Sequence, residues 1–444
     1  MGSTELQVKE RKKLTAWLAS APESAFVLYT IAVSFSVYFS MFAFRKPFTA
    51  GEYAGSGWIG LELKTMLVVS QIVGYALSKF IGIKICSEVT RGHRPVLLTG
   101  LILWAEAALV LFAIVPPSLA WIPMLLNGLP LGMIWGLVVA YLEGRRTSEL
   151  LLAGLSCSFI VSSGIVKDFG RFLMASSGVT EWWMPAATGL CFLPLFMVSV
   201  WLLDQIPQPT ALDVAARVLR EPMGVTERRT FVRTFLPGLV LLLGAYFFIT
   251  AYRDFRDSYA IEIVKRLGLD VDSGLFTKTE TLVALGVLVP LALLVCVKDN
   301  RLGLLGAFAI MTTGVTLMGL STLLFDAGKL GGFWWMTLVG LGSYLAYVPY
   351  GSVLFDRVIA RTQVAGTAVF AIYLADATGY MGSICVQIFK DSAQKEVTRL
   401  DFFRGFTYLT SVLGLGMLVA SGAYFLRWRP TPRLPDGTVD QVSP

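Results

Sequence analysis

Apolar stretches of close to twenty residues recur along the whole chain, separated by short polar segments. A bilayer core requires about twenty apolar residues per helix, so each stretch predicts a transmembrane span. We expect the first stretch to stay attached, because it is too long for the apolar part of a signal peptide. The pattern predicts twelve spans, at about 25–48, 62–85, 95–115, 119–142, 149–173, 183–203, 235–257, 279–297, 302–324, 332–355, 364–389 and 402–426.

Composition and charge agree with a membrane protein. The 444 residues are 55% hydrophobic and only 15% charged, and the mean hydropathy of +0.67 excludes an ordinary soluble domain. Lysine and arginine concentrate in alternate loops, which predicts a multi-pass protein of the inner (plasma) membrane with both termini cytoplasmic. This bias explains the net charge of +7, so the charge gives no argument for nucleic acid as a partner.

The longest polar interruption divides the chain into two sets of six spans. We predict an N-terminal six-helix bundle at 1–203, a cytoplasmic linker at 204–234, a C-terminal six-helix bundle at 235–430 and a flexible tail at 431–444. Within the linker, "LDVAARVLREP" has apolar residues at helical spacing beside arginines. This segment is either a helix on the inner leaflet or a solvated connector.

The two halves echo each other at an offset of about 210 residues, a pattern typical of transporters built from parallel repeats. "FAFRKPF" matches "TAYRDFR", "LKTMLVV" matches "TKTETLV", and "LEGRRTSELLLAG" matches "FDRVIARTQVAG", in the same order. The first match brings Arg45 and Arg253 into register. The sequence therefore predicts an all-α membrane protein with two pseudo-symmetric six-helix bundles.

Charged residues in or beside the spans need a reason, because each costs about 2.5 to 3.5 kcal/mol inside hydrocarbon. Seven cations and four acids occupy such positions, and the excess of cations predicts a cavity that accepts an anion. The candidates are Arg45, Lys46, Lys79, Lys167, Asp168, Arg171, Arg253, Asp254, Arg256, Asp257 and Asp376.

Arg45 and Arg253 form the leading candidate pair, because a guanidinium presents a planar fork of donors to phosphate or carboxylate oxygens. Each arginine also follows about twenty apolar residues, so each could instead extend to the outer interface, with Arg253 paired to Asp257 at i,i+4.

Three further positions allow two interpretations each. Lys79 lies deep in the second span and indicates either a cavity or an internal ion pair. Lys167 and Asp168 are expected to form a structural pair, with Arg171 at the interface. Asp376, in the middle of the eleventh span, could neutralise a cation in the site or carry a proton.

The sequence gives no support for an enzyme or a cofactor. The five cysteines are widely spaced and form no C-x-x-C pair, and His93 is the only histidine. A metal-ligand cluster and a Ser-His-Asp triad therefore cannot be assembled from histidine, and no nucleotide-binding loop is found.

Four motifs resemble the major facilitator superfamily, and within it the organophosphate:phosphate antiporters. They are Arg45–Phe48 ("RKPF"), "GYALSKFIG" with Lys79 about 34 residues later, Arg253 followed by Asp257, and the pair Ala365–Ala368 and Gly379–Gly382 in the eleventh span. The resemblance implies alternating access, with paired arginines gripping a substrate phosphate. The implied binding residues are Arg45, Lys46, Lys79 and Arg253, with Asp376, Asp257, Lys167, Phe159 and Tyr373 as coupling or accessory positions.

The resemblance also implies that helix 1 continues past Phe48, and three departures from the family pattern indicate a divergent branch. Phe159 stands where the family has a histidine, Ser87-Glu88 stands where it has Ser-Asp-Arg, and Asp376 is an additional acid. We therefore expect a secondary transporter of a small anionic solute, functional as a monomer among membrane lipids, with organophosphate/phosphate exchange implied by the resemblance. The alternatives are a proton-coupled symporter that uses Asp376, and a transporter-like receptor that signals through the basic linker and the tail.

Overall fold

The computed structural model describes residues 13–57, 60–210, 213, 225–271, 274–362 and 368–428. These residues form an all-helical protein with twelve helices of 18 residues or more, named α1 to α12 here. In chain order they are α1 Glu23–Phe42, α2 Leu63–Glu88, α3 Arg94–Ile114, α4 Trp121–Leu142, α5 Ser148–Ser177, α6 Met184–Leu203, α7 Leu236–Ser258, α8 Leu275–Val295, α9 Asn300–Asp326, α10 Gly332–Pro349, α11 Ala368–Ala393 and α12 Arg399–Arg427.

Among the described residues, eleven helices are long and apolar enough to cross a membrane, which identifies a multi-pass membrane protein. The helix α11 is not among the eleven; it has 26 residues and carries Asp376, Lys390 and Asp391. Twelve spans therefore stays a prediction. The predicted linker segment 212–222 lies outside the described residues except for Asp213, as do residues 365–367 and the tail at 431–444.

Helices α1 to α6 pack with one another, as do α7 to α12. Helix α2 packs along α4, and α1 packs on α5 and α6; in the second half α9 packs on α10 and α12, and α7 on α11 and α12. The halves meet where α5 contacts α8 and where α2 contacts α11. If each helix is replaced by its counterpart in the other half, the α5–α8 contact becomes the α11–α2 contact, which agrees with the predicted repeat. The domain boundaries stay predictions.

Glycines permit the closest helix contacts. A Cβ added at Gly74 of α2 would lie 2.2 Å from the carbonyl oxygen of Leu125 in α4. A Cβ at Gly164 of α5 would lie 2.4 Å from the carbonyl oxygen of Phe276 in α8. Only glycine fits at such backbone-to-backbone crossings, so α2 joins tightly to α4 and the halves touch directly where α5 crosses α8.

The prediction that helix 1 continues past Phe48 was wrong. Helix α1 ends at Phe42, a turn follows, and a 3-10 helix occupies Pro47–Ala50. Pro47 has no N–H to donate to the Ala43 carbonyl four residues earlier, and its ring would clash with that carbonyl in a continuous helix. The freed carbonyl groups find donors on other helices: Asn127 Nδ2 donates to the Phe44 carbonyl at 3.0 Å, and Gln71 Nε2 donates to the Arg45 carbonyl at 2.9 Å.

Polar contacts join the two halves at the ends that the charge bias places outside. Lys64 of the first half pairs with Glu262 at 2.7 Å, and Glu62 pairs with Arg399 at 2.6 Å. The Tyr259 hydroxyl bonds Thr65 of the first half at 2.8 Å. Burial raises the pKa of Tyr259, so its hydroxyl remains a neutral hydrogen-bonding group.

Candidate functional site

The Arg45 side chain lies inside the protein. The residue is 8% exposed, and its Cζ lies 3.9 Å from the centre of the Tyr75 ring on α2. Among the described residues no carboxylate forms an ion pair with this guanidinium, and its Nε has no hydrogen-bond partner. The alternative that Arg45 extends to the outer interface was therefore wrong.

Arg253 is also buried and is placed against a ring in the same way. Its side chain is 12% exposed, and its Cζ lies 3.9 Å from the centre of the Tyr347 ring. Unlike Arg45 it has an acid, because Nη2 donates to Asp254 Oδ1 at 2.8 Å. Asp254 Oδ2 also accepts a hydrogen bond from Ser383 at 2.7 Å. The alternatives of an interfacial Arg253 and of an i,i+4 pair with Asp257 were both wrong.

Asp257 binds two lysines of the opposite half. Its carboxylate pairs with Lys46, in the turn after α1, and with Lys167 of α5, and it accepts a hydrogen bond from Ser163. Lys167 also donates to the Asp257 backbone carbonyl at 2.7 Å. This cluster joins α7 to the first half through buried ion pairs. Removal of one partner would leave a buried charge unpaired, which is strongly destabilising.

The expected pair between Lys167 and Asp168 was wrong. Asp168 Oδ2 instead accepts a hydrogen bond from the backbone N–H of Thr277 at 2.7 Å. Thr277 lies in the first turn of α8, where backbone N–H groups lack helical partners and favour a negative charge. Asp168 therefore secures the start of α8 to α5.

Lys79 and Asp376 form an ion pair across the α2–α11 contact. The Nζ of Lys79 lies 3.3 Å from Asp376 Oδ2. Asp376 Oδ1 accepts a hydrogen bond from the Tyr246 hydroxyl at 3.0 Å. Of the two interpretations of Lys79, the structure shows the internal ion pair. Asp376 correspondingly neutralises a cation, which was one of its two predicted roles.

Aromatic rings fill the space between these charges. Phe159 of α5 lies 6.1 Å from Tyr344 and 6.2 Å, edge-on, from Tyr347, so a first-half ring reaches the tyrosine beneath Arg253. Across the other contact, Tyr75 meets Tyr380 edge-on at 5.5 Å. Tyr373 is partly buried on α11, three residues before Asp376 and thus on the same face.

The grouped charges leave an excess of cations. Among the residues that the structure describes, three carboxylates are shared by five cations, which leaves two positive charges without a carboxylate: the acids are Asp254, Asp257 and Asp376, and the cations are Arg45, Lys46, Lys79, Lys167 and Arg253. Uncompensated charge is costly in a low-dielectric interior. An anion bound beside Arg45 would offset it.

The tyrosines under the arginines and the acid of the third span were not predicted from the sequence. Tyr75 stands four residues before Lys79, within the quoted motif and on the same helical face, which was an available signal. Tyr347 had no comparable signal. Glu106 is the only acid within α3, so its cost in hydrocarbon could have identified it.

The sequence matches a family model described as "Family of unknown function (DUF5690)" over residues 47–428. The chain belongs to this family. No curated protein matches it.

Two solved structures are similar to this DUF5690 protein over nearly their whole length. One is a crystal structure of a D-xylose-proton symporter, with 13% identity and a TM-score of 0.60, covering 92% of this chain and 98% of that chain. The other is a mutant of the peptide transporter POT in complex with alafosfalin, with 14% identity and a TM-score of 0.58, covering 93% and 99%. The DUF5690 protein has the major facilitator fold, while the organophosphate:phosphate branch stays a prediction.

Proposed function

We propose that this protein is a secondary transporter of a small organic anion and works by alternating access. The observation that carries the proposal is the buried Arg45 guanidinium, which lies on Tyr75 without a carboxylate partner. A buried cation in this condition is stabilised by a ligand of opposite charge.

The anion binds between the two arginines. Arg45 offers its whole guanidinium, whereas Arg253 offers the N–H groups that Asp254 leaves unused. A planar fork of donors suits phosphate and carboxylate oxygens. The excess of two positive charges favours a dianion such as a phosphate monoester over a monoanion, which agrees with the family resemblance.

Charge also provides a reason for exchange. Without an anion, the excess cations of the two halves repel one another and oppose closure around the site. With an anion bound, the halves are drawn together and the change of access is easier. In the conformation described here the halves are joined at the predicted outer ends by pairs such as Lys64–Glu262, so the site would next open toward the cytoplasm.

The test uses purified protein in two steps. A thermal-shift screen of phosphate esters, carboxylates and sulfonates identifies the class that binds, because a ligand of the folded state raises the melting temperature. Exchange of a labelled member of that class is then measured in liposomes. Vectorial movement of the label also separates a transporter from a receptor with the same fold.

Arg45→Ala and Arg253→Ala are the decisive variants. Each hydrogen bond between charged groups contributes about 1.5 to 3 kcal/mol, so loss of the two bonds of a fork lowers exchange by about 100-fold or more. Arg404→Ala is the matched control, because Arg404 is partly exposed and pairs with Asp326 at 2.6 Å away from the site. Undiminished exchange by both site variants refutes the proposed site.

Proton-coupled symport through Asp376 is the second candidate, favoured by the ion pair that Asp376 forms with Lys79 between the halves. It predicts uptake driven by a pH gradient and uncoupled by Asp376→Asn. Coupling that survives this substitution excludes Asp376 as the carrier.

A further inference from the structure

Glu106 is a second buried ionisable group that has no partner among the described residues, and it lies apart from the ion pairs described above. It is 6% exposed in α3, and neither carboxyl oxygen has a hydrogen-bond partner. A Cβ added at Gly189 of α6 would lie 2.1 Å from Glu106 Oε2 and 3.0 Å from the Phe44 ring. Glu106 therefore fills the space that this glycine leaves, beside the residue that precedes Arg45.

The surroundings of Glu106 offer it no cation. Helix α3 packs on α4 and α6, and Asn127 of α4 ties the Ala105 carbonyl at 3.1 Å and the Phe44 carbonyl at 3.0 Å together. In the part of the chain that the structure describes, no Lys, Arg or His forms an ion pair with Glu106. The other titratable groups on these helices are Arg94 of α3, which donates to the Ala140 carbonyl at 2.9 Å, Tyr141 of α4, which lies beneath Arg94, and the exposed Cys191 of α6. The turn at Phe44 adds Arg45, which lies on the Tyr75 ring, and Lys46, which pairs with Asp257.

An ionised carboxylate that receives no hydrogen bond inside a membrane protein is strongly disfavoured against its protonated form. Protonation adds one proton from water to one oxygen and requires no other reactant. We infer that Glu106 is a proton-binding site, occupied in this conformation, and that ionisation of Glu106 weakens anion binding at Arg45.

The linkage to Arg45 follows from the shared packing. Arg45 lacks an acid, Glu106 lacks a cation, and Phe44 contacts the space of Gly189 directly beside the carboxyl group. An ionised Glu106 would need a hydrogen-bond donor, and drawing on the Asn127 amide would disturb its hydrogen bonds to the Ala105 and Phe44 carbonyls, which position the turn that carries Arg45. Anion binding therefore favours the protonated acid, and by reciprocity the proton favours the anion. This linkage rests on the proposed function, whereas the proton site does not.

The proton site is tested by infrared spectroscopy of the purified full-length protein. The wild type is expected to show the C=O stretch of a buried protonated carboxyl at neutral pH, and Glu106→Gln to lose it. Glu280→Gln is the matched control and is expected to keep the band, because Glu280 forms an ion pair with Arg256 at 2.8 Å. Glu106→Leu repeats the measurement without the side-chain amide C=O that Glu106→Gln introduces. A spectrum unchanged by both Glu106 variants overturns the proton site.

The linkage is tested with sulfate, whose charge is constant between pH 6 and 8. As pH rises and Glu106 ionises, the affinity of the wild-type protein for sulfate is expected to fall, by at most about tenfold per pH unit for one linked proton. Glu106→Gln is expected to show constant affinity. Equal pH dependence in both proteins overturns the linkage. Absence of sulfate binding by the wild type refutes the anion site and the linkage together, while the infrared band still decides the proton site.

Discussion

The sequence repeat aligns Arg45, in the turn after α1, with Arg253, inside α7, and the two arginines differ in their acidic partners. Both guanidinium carbons lie 3.9 Å from the centre of a tyrosine ring. Only Arg253 has a carboxylate beside it, Asp254 at 2.8 Å. Asp254 compensates the charge of Arg253, whereas Arg45 forms no ion pair with a carboxylate among the residues that the structure describes. The repeat therefore provides two cations, and under the proposed function Arg45 is the one that needs an anion as its partner.

The ring partners do not follow the repeat. Tyr75 lies on α2, and Tyr347 lies on α10. Helix α2 corresponds to α8 when the halves are exchanged, so the two stacked arrangements come from different helices. The shared geometry therefore reflects what a buried guanidinium requires, namely a polarisable face that replaces part of its hydration.

The largest expected effect comes from removing the acid that distinguishes the two arginines. Asp254→Asn leaves Arg253 buried without a carboxylate, which lowers the free energy of unfolding by about 3 to 5 kcal/mol. The variant should also gain more stability from sulfate than the wild type, because both arginines then need an anion. Thermal unfolding with and without sulfate measures both effects.

The control for this prediction is Asp401→Asn, which removes an exposed acid that lies 3.3 Å from Arg404. A surface pair contributes at most about 1 kcal/mol. If Asp254→Asn melts like this control and shows the sulfate response of the wild type, the contrast between the arginines has no energetic meaning.

A smaller effect is expected from removing the feature that the arginines share. Tyr75→Leu and Tyr347→Leu each lose the ring face under a guanidinium, whereas Tyr75→Phe and Tyr347→Phe keep it. A desolvated cation–π contact contributes about 2 kcal/mol, so each Leu variant should be less stable than its matched Phe variant by about that amount. Urea unfolding provides the measurement. A loss at one tyrosine only would show that the equal distances do not reflect equal interactions.

The smallest effect is expected at Phe159, whose ring contacts Tyr347 beneath Arg253 and Trp135 of the first half. Phe159→Leu is close to volume-conserving and should lower the free energy of unfolding by less than about 1.5 kcal/mol. Anion exchange should stay within a few-fold of the wild type, since a phenyl ring donates no hydrogen bond. Abolished exchange with an intact melting transition would instead give residue 159 a direct part in binding.

The all-helical membrane fold could be predicted because the bilayer demands long apolar helices, and that demand is visible along the chain. Pro47 was a visible signal for a break after α1, but the donors that satisfy the freed carbonyl groups, Asn127 of α4 and Gln71 of α2, become evident only in the fold. The two arginines were found through the repeat. Their partners were not, because Asp257 lies near Arg253 in sequence yet binds Lys46 and Lys167 of the other half.

Glu106 shows a second limit of sequence analysis. A charged residue in an apolar span is visible in the sequence, but the lack of a partner appears only when the neighbouring helices are assembled. Lys79 and Glu106 both lie deep in apolar spans, and among the described residues Lys79 pairs with Asp376 whereas Glu106 has no partner.

The glycine crossing of α5 and α8 has a mechanical consequence. At Gly164 the backbone of α5 lies directly against the Phe276 carbonyl group of α8. One turn earlier Ile160 packs in one apolar cluster with Val283 and Ala284 of α8, so any rocking of the halves has to slide this packed contact. The hydrogen bond from the Thr277 backbone N–H to Asp168, one helical turn from Gly164, stabilises the present angle between α5 and α8.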